Sequence, residues 1–357
     1  MQPHITQEKE TTVPISSLGG SNPLMSGFAK LFKAIVKARN RAFDRFSFLS
    51  YQAERPVISI GGIRAGGTGK TPVTLFVGEY LMNKGYDLAF LSRGYGRKSK
   101  ECVLLSPAEQ SEWDRIGDEP ALIHANIPAS WMGIGAQRVK SAKKLLSQLP
   151  LKSAYILDDG FQHRKIRRDL DIVCVHEGVF EDRMIPAGFL REPLESLHRA
   201  GLVVVIGSED SVDKLKRVRD ELNLKFPTTP CSLIFQKPLY WVEANSGRKS
   251  EGAPLQDPWV ICAIARPQRF ISTVKSYGIT PSGVQCFRDH HVFQSDDLTA
   301  MQDIYSKGIV TTEKDFMRLK TLQIANSVKV WYLKIGLQFV DEKSEKSFES
   351  AINRSLP

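Results

Sequence analysis

Short apolar runs and longer stretches of helical periodicity alternate along most of this chain. Residues 57–60, 88–91, 154–157, 171–175 and 202–206 form runs too short for a helix, with few polar positions. Such runs predict strands buried on both faces, as in a parallel sheet. Between them, residues 72–84, 137–149 and 212–224 repeat apolar positions at helical spacing, and Gly85 is placed to cap the first. Strands alternating with helices predict an α/β fold: a mostly parallel sheet with helices on both faces. The pattern breaks near Pro227-Thr228-Thr229-Pro230 and resumes on a smaller scale. There, 259–265 reads as a strand, 269–277 as a helix, a further helix starts near Asp296, and 308–315 reads as a strand running into a helix cap. The expected division is a core domain over 51–228 and a smaller C-terminal α/β domain over 229–357 that closes over the site.

The chain before the first strand differs. Residues 1–24 are polar and end in the turn formers Gly19, Gly20, Asn22 and Pro23, which predicts a loose arm. Within 25–50, Phe28, Leu31, Phe32, Ile35, Val36, Phe43 and Phe46 recur at helical spacing, with Lys30, Lys33, Lys37, Arg41 and Arg45 largely on the other side. A basic amphipathic helix suits an anionic membrane surface; it equally suits a helix packed on the body with its cations in water. Charge changes the picture further. Lys and Arg number 49 against 39 Asp and Glu, a net charge of +10 that points to an anionic partner. The cations are spread out with no aromatic-interleaved stripe, which argues against nucleic acid. The five cysteines are scattered with no CxxC pair, which argues against a disulfide framework or a zinc knuckle and fits a reducing cytoplasm. No apolar run approaches the ~20 residues of a spanning helix, and the polar start is not a secretory signal.

The chemistry centres on the loop Arg64-Ala65-Gly66-Gly67-Thr68-Gly69-Lys70-Thr71, set between the first strand and the first core helix. Glycines let backbone N–H groups close around phosphate oxygens, and the helix N-terminus adds partial positive charge. Lys70 reaches the outer phosphates and the Thr71 hydroxyl suits Mg²⁺. The usual spacing asks for glycine where Arg64 stands, so the loop is an atypical P-loop. Downstream, the strand-like run 154–157 ends in Asp158-Asp159-Gly160, the pattern by which P-loop enzymes hold Mg²⁺ or its water shell. Gln162, His163 and Arg164 follow at the same strand end. Ser92-Arg93-Gly94-Tyr95-Gly96 is either a plain connection or an anion contact through Arg93, with Arg97 and Lys98 beyond it. Asp118 and Glu119 open a helix, where they either favour its dipole or supply a base at the sheet's mouth. Arg138 faces a site if its helix starts nearby. The tandem His290-His291 lacks the companions of a metal motif.

Two function classes fit these residues. A phosphotransferase needs a base near the Mg²⁺ site to take a proton from an acceptor hydroxyl, for which Asp118 and the histidine pair are candidates. A nucleotide switch of the partition type, working through a protein partner, uses a similar glycine loop. That type carries a lysine just before the two glycines, where this chain has Ala65, and the base-reading [NT]-K-x-D motif of GTP switches is absent. Both absences favour the kinase. Taken in order, VISIGGIRAGGTGKTP, LSRGYG, GDEP, DDGFQH, IPAGFLREP, SLHRA, DHHVF and TTEKD resemble the tetraacyldisaccharide 4'-kinase family, the lipid A 4'-kinases of Gram-negative bacteria. Members share a non-glycine at position 64. The resemblance implies transfer of the ATP γ-phosphate to the 4'-hydroxyl of a tetraacylated glucosamine disaccharide 1-phosphate, giving lipid IVA, with Mg²⁺, at the cytoplasmic face of the inner membrane. The implied partners are an anionic glycolipid and the membrane surface, with no obligate protein partner. It further implies Asp118 as the base, tuned by His290. Lys70 and Thr71 would hold phosphate and Mg²⁺, and Asp158 and Asp159 would serve the metal. Arg93, Glu119, Arg138, Gln162, His163, Arg191, Glu192 and His291 would contact substrate or nucleotide.

Overall fold

The structure is a computed structural model, and it describes residues 23–97, 101–110, 113–299, 301, 303–322 and 327–357. Apart from its last two residues, the expected polar arm lies outside the described residues, as does Lys98. Helix α1 (Pro23–Arg45) therefore begins two residues inside the stretch expected as arm. The elements that follow are β1 (Val57–Gly62), α2 (Lys70–Asn83), β2 (Asp87–Ser92), β3 (Val103–Leu105), α3 (Trp113–Ile116), α4 (Asp118–Asn126), β4 (Trp131–Ile134), α5 (Arg138–Leu145), β5 (Ser153–Asp158), β6 (Leu170–His176), β7 (Leu202–Ser208) and α6 (Val212–Lys225). After the Pro227–Pro230 turn come β8 (Cys231–Glu243), β9 (Lys249–Ser250), β10 (Trp259–Cys262), α7 (Pro267–Ser276), β11 (Gly283–Cys286), α8 (Ser295–Thr299), α9 (Ile304–Lys307), β12 (Ile309–Thr312), α10 (Glu313–Leu319), β13 (Val330–Phe339) and α11 (Glu342–Arg354).

One 13-stranded sheet runs through all of this, in the order β11-β10-β12-β13-β8-β7-β6-β1-β5-β2-β4-β3, with β9 paired to β8. Pairing is parallel from β8 through β7, β6, β1, β5 and β2 to β4, and again among β11, β10, β12 and β13. The two parallel blocks meet where β8 runs antiparallel to β13. The expected break at 228/229 falls in the turn before β8. The sheet does not stop there, because Cys231–Gln236 of β8 lies along β7 while residues 234–243 of the same strand pair with β13.

The burial of alternate residues explains why the strands read as unbroken apolar runs. Ile58 and Ile60 of β1, Ile156 of β5 and Val204 of β7 pack on one face with Val73, Val77 and Leu81 of α2 and with Phe348 and Ile352 of α11. Val173 and Val175 of β6 and Val203 and Val205 of β7 pack on the other, with Leu215, Val218 and Leu222 of α6. Tyr155 and Leu157 of β5 meet Ala142 and Leu145 of α5 on that same side. Each such side chain contributes about 1.5–3 kcal/mol through burial, and the sum fixes the sheet on which the loops sit. The second block repeats the scheme, with Val260, Val310 and Trp331 on Phe270 and Val274 of α7, and Ile261, Ile309 and Val330 on Leu298, Ile304 and Leu319.

Candidate active site

The P-loop leaves β1 at the carboxyl end of the sheet, where open α/β folds bind ligands. Gly69 caps α2 at φ 74°, a left-handed conformation that favours glycine. A Cβ there would meet Ile206 at 3.0 Å, so position and conformation both exclude larger residues. Lys70 Nζ lies 3.4 Å from Thr68 Oγ1 and 3.7 Å from Asp159 Oδ1. Part of the loop is committed to structure. The Ala65 N–H donates to Phe189 O at 2.8 Å, and the Arg191 and Glu192 N–H groups both donate to Ile63 O. Arg64 is likewise engaged: its Nε pairs with Asp182 Oδ2 at 3.0 Å, its Nη1 lies 2.8 Å from His176 Nε2, and its guanidinium stacks on Phe189. Arg64 and Ala65 therefore clamp the 182–192 segment beneath the loop. They leave Gly66, Gly67, Thr68, Gly69, Lys70 and Thr71 to cradle phosphate.

Asp158 and Asp159 end β5 in contrasting settings. Asp158 is buried, and its carboxylate accepts from Thr74 Oγ1 at 3.2 Å and Ser92 Oγ at 3.3 Å. Burial, then the nearby charges of Glu119 and Asp159, raise its proton affinity against the pull of Lys70 and Arg138. Asp159 sits at φ 45° and takes a two-point grip from Arg191, 2.9 Å to Oδ2 and 2.8 Å to Oδ1. Burial works against its ionisation too, but the Arg191 bonds and then Lys70 hold its pKa at about 2. Carboxylates with the Thr71 hydroxyl form the hard-oxygen set that Mg²⁺ takes, and the mutual repulsion of Asp158, Asp159 and Glu119 is what a divalent cation would relieve. Among the described residues no three His, Cys, Asp or Glu side chains make a self-sufficient metal cage.

Asp118 opens α4 behind Gly117, which sits at φ 98° and whose Cβ would strike Tyr95 O at 2.7 Å. The Ser92–Gly96 turn and the Gly117–Pro120 corner thus pack backbone on backbone, the physical content of two motifs read separately in the sequence. Asp118 is 4% exposed, and its Oδ2 lies 2.8 Å from His290 Nδ1 while Oδ1 accepts the Glu119 N–H at 2.9 Å. Burial opposes ionisation of Asp118. The His290 hydrogen bond and the Lys314 charge outweigh it, so the carboxyl titrates below its ordinary range. Asp118 comes from the first parallel block and His290 from the loop after β11 in the second. The neighbouring Glu119 falls within electrostatic range of Asp158, which ties this pair to the phosphate end.

Other expected residues divide. Arg138 is buried, with Nη2 on the Asp158 carbonyl at 3.3 Å, and burial lowers its pKa. Exposed Arg93 acts on it electrostatically, which places Arg93 at the same mouth. Gln162 donates to Gly62 O at 2.9 Å, while its Oε1 and His163 Nε2 are buried without a partner. Burial, then Arg138 and other cations, hold His163 neutral with a pKa of about 4. One expectation is corrected. Glu192 is 0% exposed and accepts from Arg39, Asn40 and Arg199 at 3.1, 2.8 and 2.7 Å, so it anchors α1 rather than facing substrate. Asp118 bonds His290, whereas His291 stacks on Phe287 and bonds Asp297 at 2.8 Å. Sequence reasoning missed Lys314, although TTEKD was among the quoted motifs. It also missed Ala265, whose Cβ lies 3.4 Å from a Cβ built on Gly67 and brings the second block against the P-loop.

Comparison with known proteins now bears on this geometry. The family model described as tetraacyldisaccharide-1-P 4'-kinase matches residues 21–356. Tetraacyldisaccharide 4'-kinase of Chlorobium limicola is 32% identical over 353 residues, covering 94% of this chain and 98% of its own. The enzyme of Koribacter versatilis is 34% identical over 333 residues, covering 89% and 95%. The crystal structure of Aquifex aeolicus LpxK in complex with ATP superposes with a TM-score of 0.78 at 26% identity, covering 96% of this chain and 99% of that one. The partition-type switch finds no support in these matches. With its P-loop, its paired aspartates and an Asp118–His290 contact built from both halves of one sheet, the chain belongs to the tetraacyldisaccharide 4'-kinase family.

Proposed function

We propose that the chain transfers the γ-phosphate of ATP to the 4'-hydroxyl of tetraacyldisaccharide 1-phosphate, giving lipid IVA, at the cytoplasmic face of the inner membrane. The observation that carries this reading is the hydrogen-bonded Asp118–His290 pair beside a P-loop, because transfer to a sugar hydroxyl needs a proton acceptor close to the phosphates. Asp118 is ionised at neutral pH and accepts the proton of the attacking hydroxyl; His290 holds the carboxylate in position. The glycine loop and Lys70 hold the triphosphate, and Arg191 and Lys70 keep Asp159 ionised. Thr71, Asp158 and Asp159 would hold Mg²⁺, which supplies charge neutralisation for the transferred phosphoryl group. Residues 51–228 provide the phosphate end and 229–357 provide His290, which already meets Asp118 across the one sheet.

The helix α1 supports the membrane part. Its inner face, Ala29, Phe32, Val36 and Asn40, packs on the body, and Lys33 and Lys37 reach Glu195 at 3.1 and 3.2 Å. Its outer face leaves Phe28, Leu31 and Ile35 51–57% exposed beside exposed Lys30. The helix is packed on the body, and its exposed apolar outer face supports the membrane reading. No helix among the described residues is long and apolar enough to cross a membrane, so α1 would lie along the surface. Incubating the protein with γ-labelled ATP and the disaccharide acceptor tests the assignment. Label in a bis-phosphorylated glycolipid supports it, whereas phosphate released only to water, or no turnover, overturns it.

A further inference from the structure

We propose that Lys314 is a positioning residue that fixes the tautomer of His290 and keeps Asp118 a free base; this rests on the kinase reading of the site. Lys314 stands in the first turn of α10, with Nζ 3.3 Å from His290 Nε2, 3.8 Å from Asp118 Oδ2 and 3.7 Å from Asp289 Oδ1. An ammonium has three donors and no acceptor. The ring nitrogen facing it is therefore the lone-pair nitrogen, and the proton is placed on Nδ1, which donates to Asp118 Oδ2 at 2.8 Å. The opposite tautomer would set a lone pair against a carboxylate and an N–H against an ammonium.

The geometry is held rigidly from both sides. Thr312 caps α10, and buried Asp315 accepts the Ala263 N–H at 3.0 Å and pairs with Arg318. Glu313 binds Lys334 at 2.6 Å and Asn126 of α4 at 2.9 Å, which ties α10 to the helix that Asp118 begins. His290 sits at φ 64° in a turn closed by the His291 N–H on Arg288 O. The charged and titratable groups facing the pair are Lys314, Asp289 and the edge of Tyr95, with Arg318 acting on Asp118 at longer range. Lys314 also lies within reach of the Asp118 oxygen that the ring bonds, so its charge favours the ionised carboxylate that the hydroxyl proton needs.

The test uses full-length protein labelled with ¹⁵N-histidine, without substrates, with His290→Gln to assign the ring signals. Wild type should show His290 as the Nδ1–H tautomer at neutral pH. Lys314→Met should lose that preference, and Lys314→Arg, still a donor-only cation, should restore it. In turnover, Lys314→Met should lower kcat with little change in the KM for ATP and move the acid limb of the profile up by about one pH unit. An unchanged tautomer and acid limb in Lys314→Met overturn the proposal, and a raised KM for the disaccharide alone would make Lys314 a substrate anchor instead. Should Lys314→Met not fold, Lys314→Gln carries the same comparison. The tautomer is read without turnover, so failure of the kinase reading would leave that result standing by itself.

Discussion

Asp158 and Asp159 are neighbours in sequence, yet burial raises the proton affinity of the first while Arg191 lowers that of the second. One is sealed among hydroxyls and other carboxylates, and the other is gripped by a guanidinium. Nothing in the letters DD distinguishes them. The same holds for the tandem histidines, whose roles diverge only through the turn at His290. His290→Asn is expected to lower kcat by roughly 10²-fold, within the range for losing a partner in acid–base catalysis; His291→Asn is expected to keep kcat and lower thermal stability. Steady-state kinetics with a melting curve separates the two. A second expectation concerns acid. His163 and His176 are both held neutral by burial, with pKa values of about 4. Below about pH 6.5 the unfolded chain protonates these rings while the folded one does not. The unfolded state then binds more protons, so stability falls with decreasing pH until the folded rings titrate near 4. A His163→Gln, His176→Gln double variant should show a shallower loss of urea stability between pH 6.5 and 4 than wild type.

At the scale of elements, the buried parallel strands and their helices were legible because continuous apolar runs have few other uses. β3, β4, β8, β9, β11, β13 and α11 were not read, although β4 and β11 belong to the parallel blocks. β8 carries Lys237 and Pro238 and is half exposed along its second part, so its run breaks up just where it bridges the two blocks. Polar loop residues were harder still. Arg64 was expected at the nucleotide and Glu192 at substrate or nucleotide, and both are spent on holding loop and helix in place. Glu192 makes that cost measurable. Glu192→Gln removes the charge shared by Arg39 and Arg199, and it is expected to lower stability by about 2 kcal/mol in denaturant titration, below a fully buried pair because Arg39 is partly exposed. The outer face of α1 should behave in the opposite manner. Changing Phe28, Leu31 and Ile35 to Ser is expected to abolish binding to anionic vesicles while leaving the melting temperature unchanged. Undiminished sedimentation with vesicles would assign the membrane contact elsewhere.

For the molecule as a whole, the consequence of one unbroken sheet is that the reacting groups are set by two distant stretches of chain. The phosphate grip follows β1, the aspartates follow β5, and the histidine and lysine that organise Asp118 follow β11 and β12. Sequence motifs located each piece, but only the resemblance, and then the fold, joined Asp118 to His290 across 172 positions. The most direct measurement compares Asp118→Ala with wild type in two assays on the same preparation, ATP binding by calorimetry and a single turnover of the disaccharide. ATP affinity should stay within about twofold while phosphoryl transfer falls by roughly 10²–10⁴-fold. Transfer at a near wild-type rate, with ATP bound as before, would contradict the central claim that Asp118 takes the proton from the sugar hydroxyl.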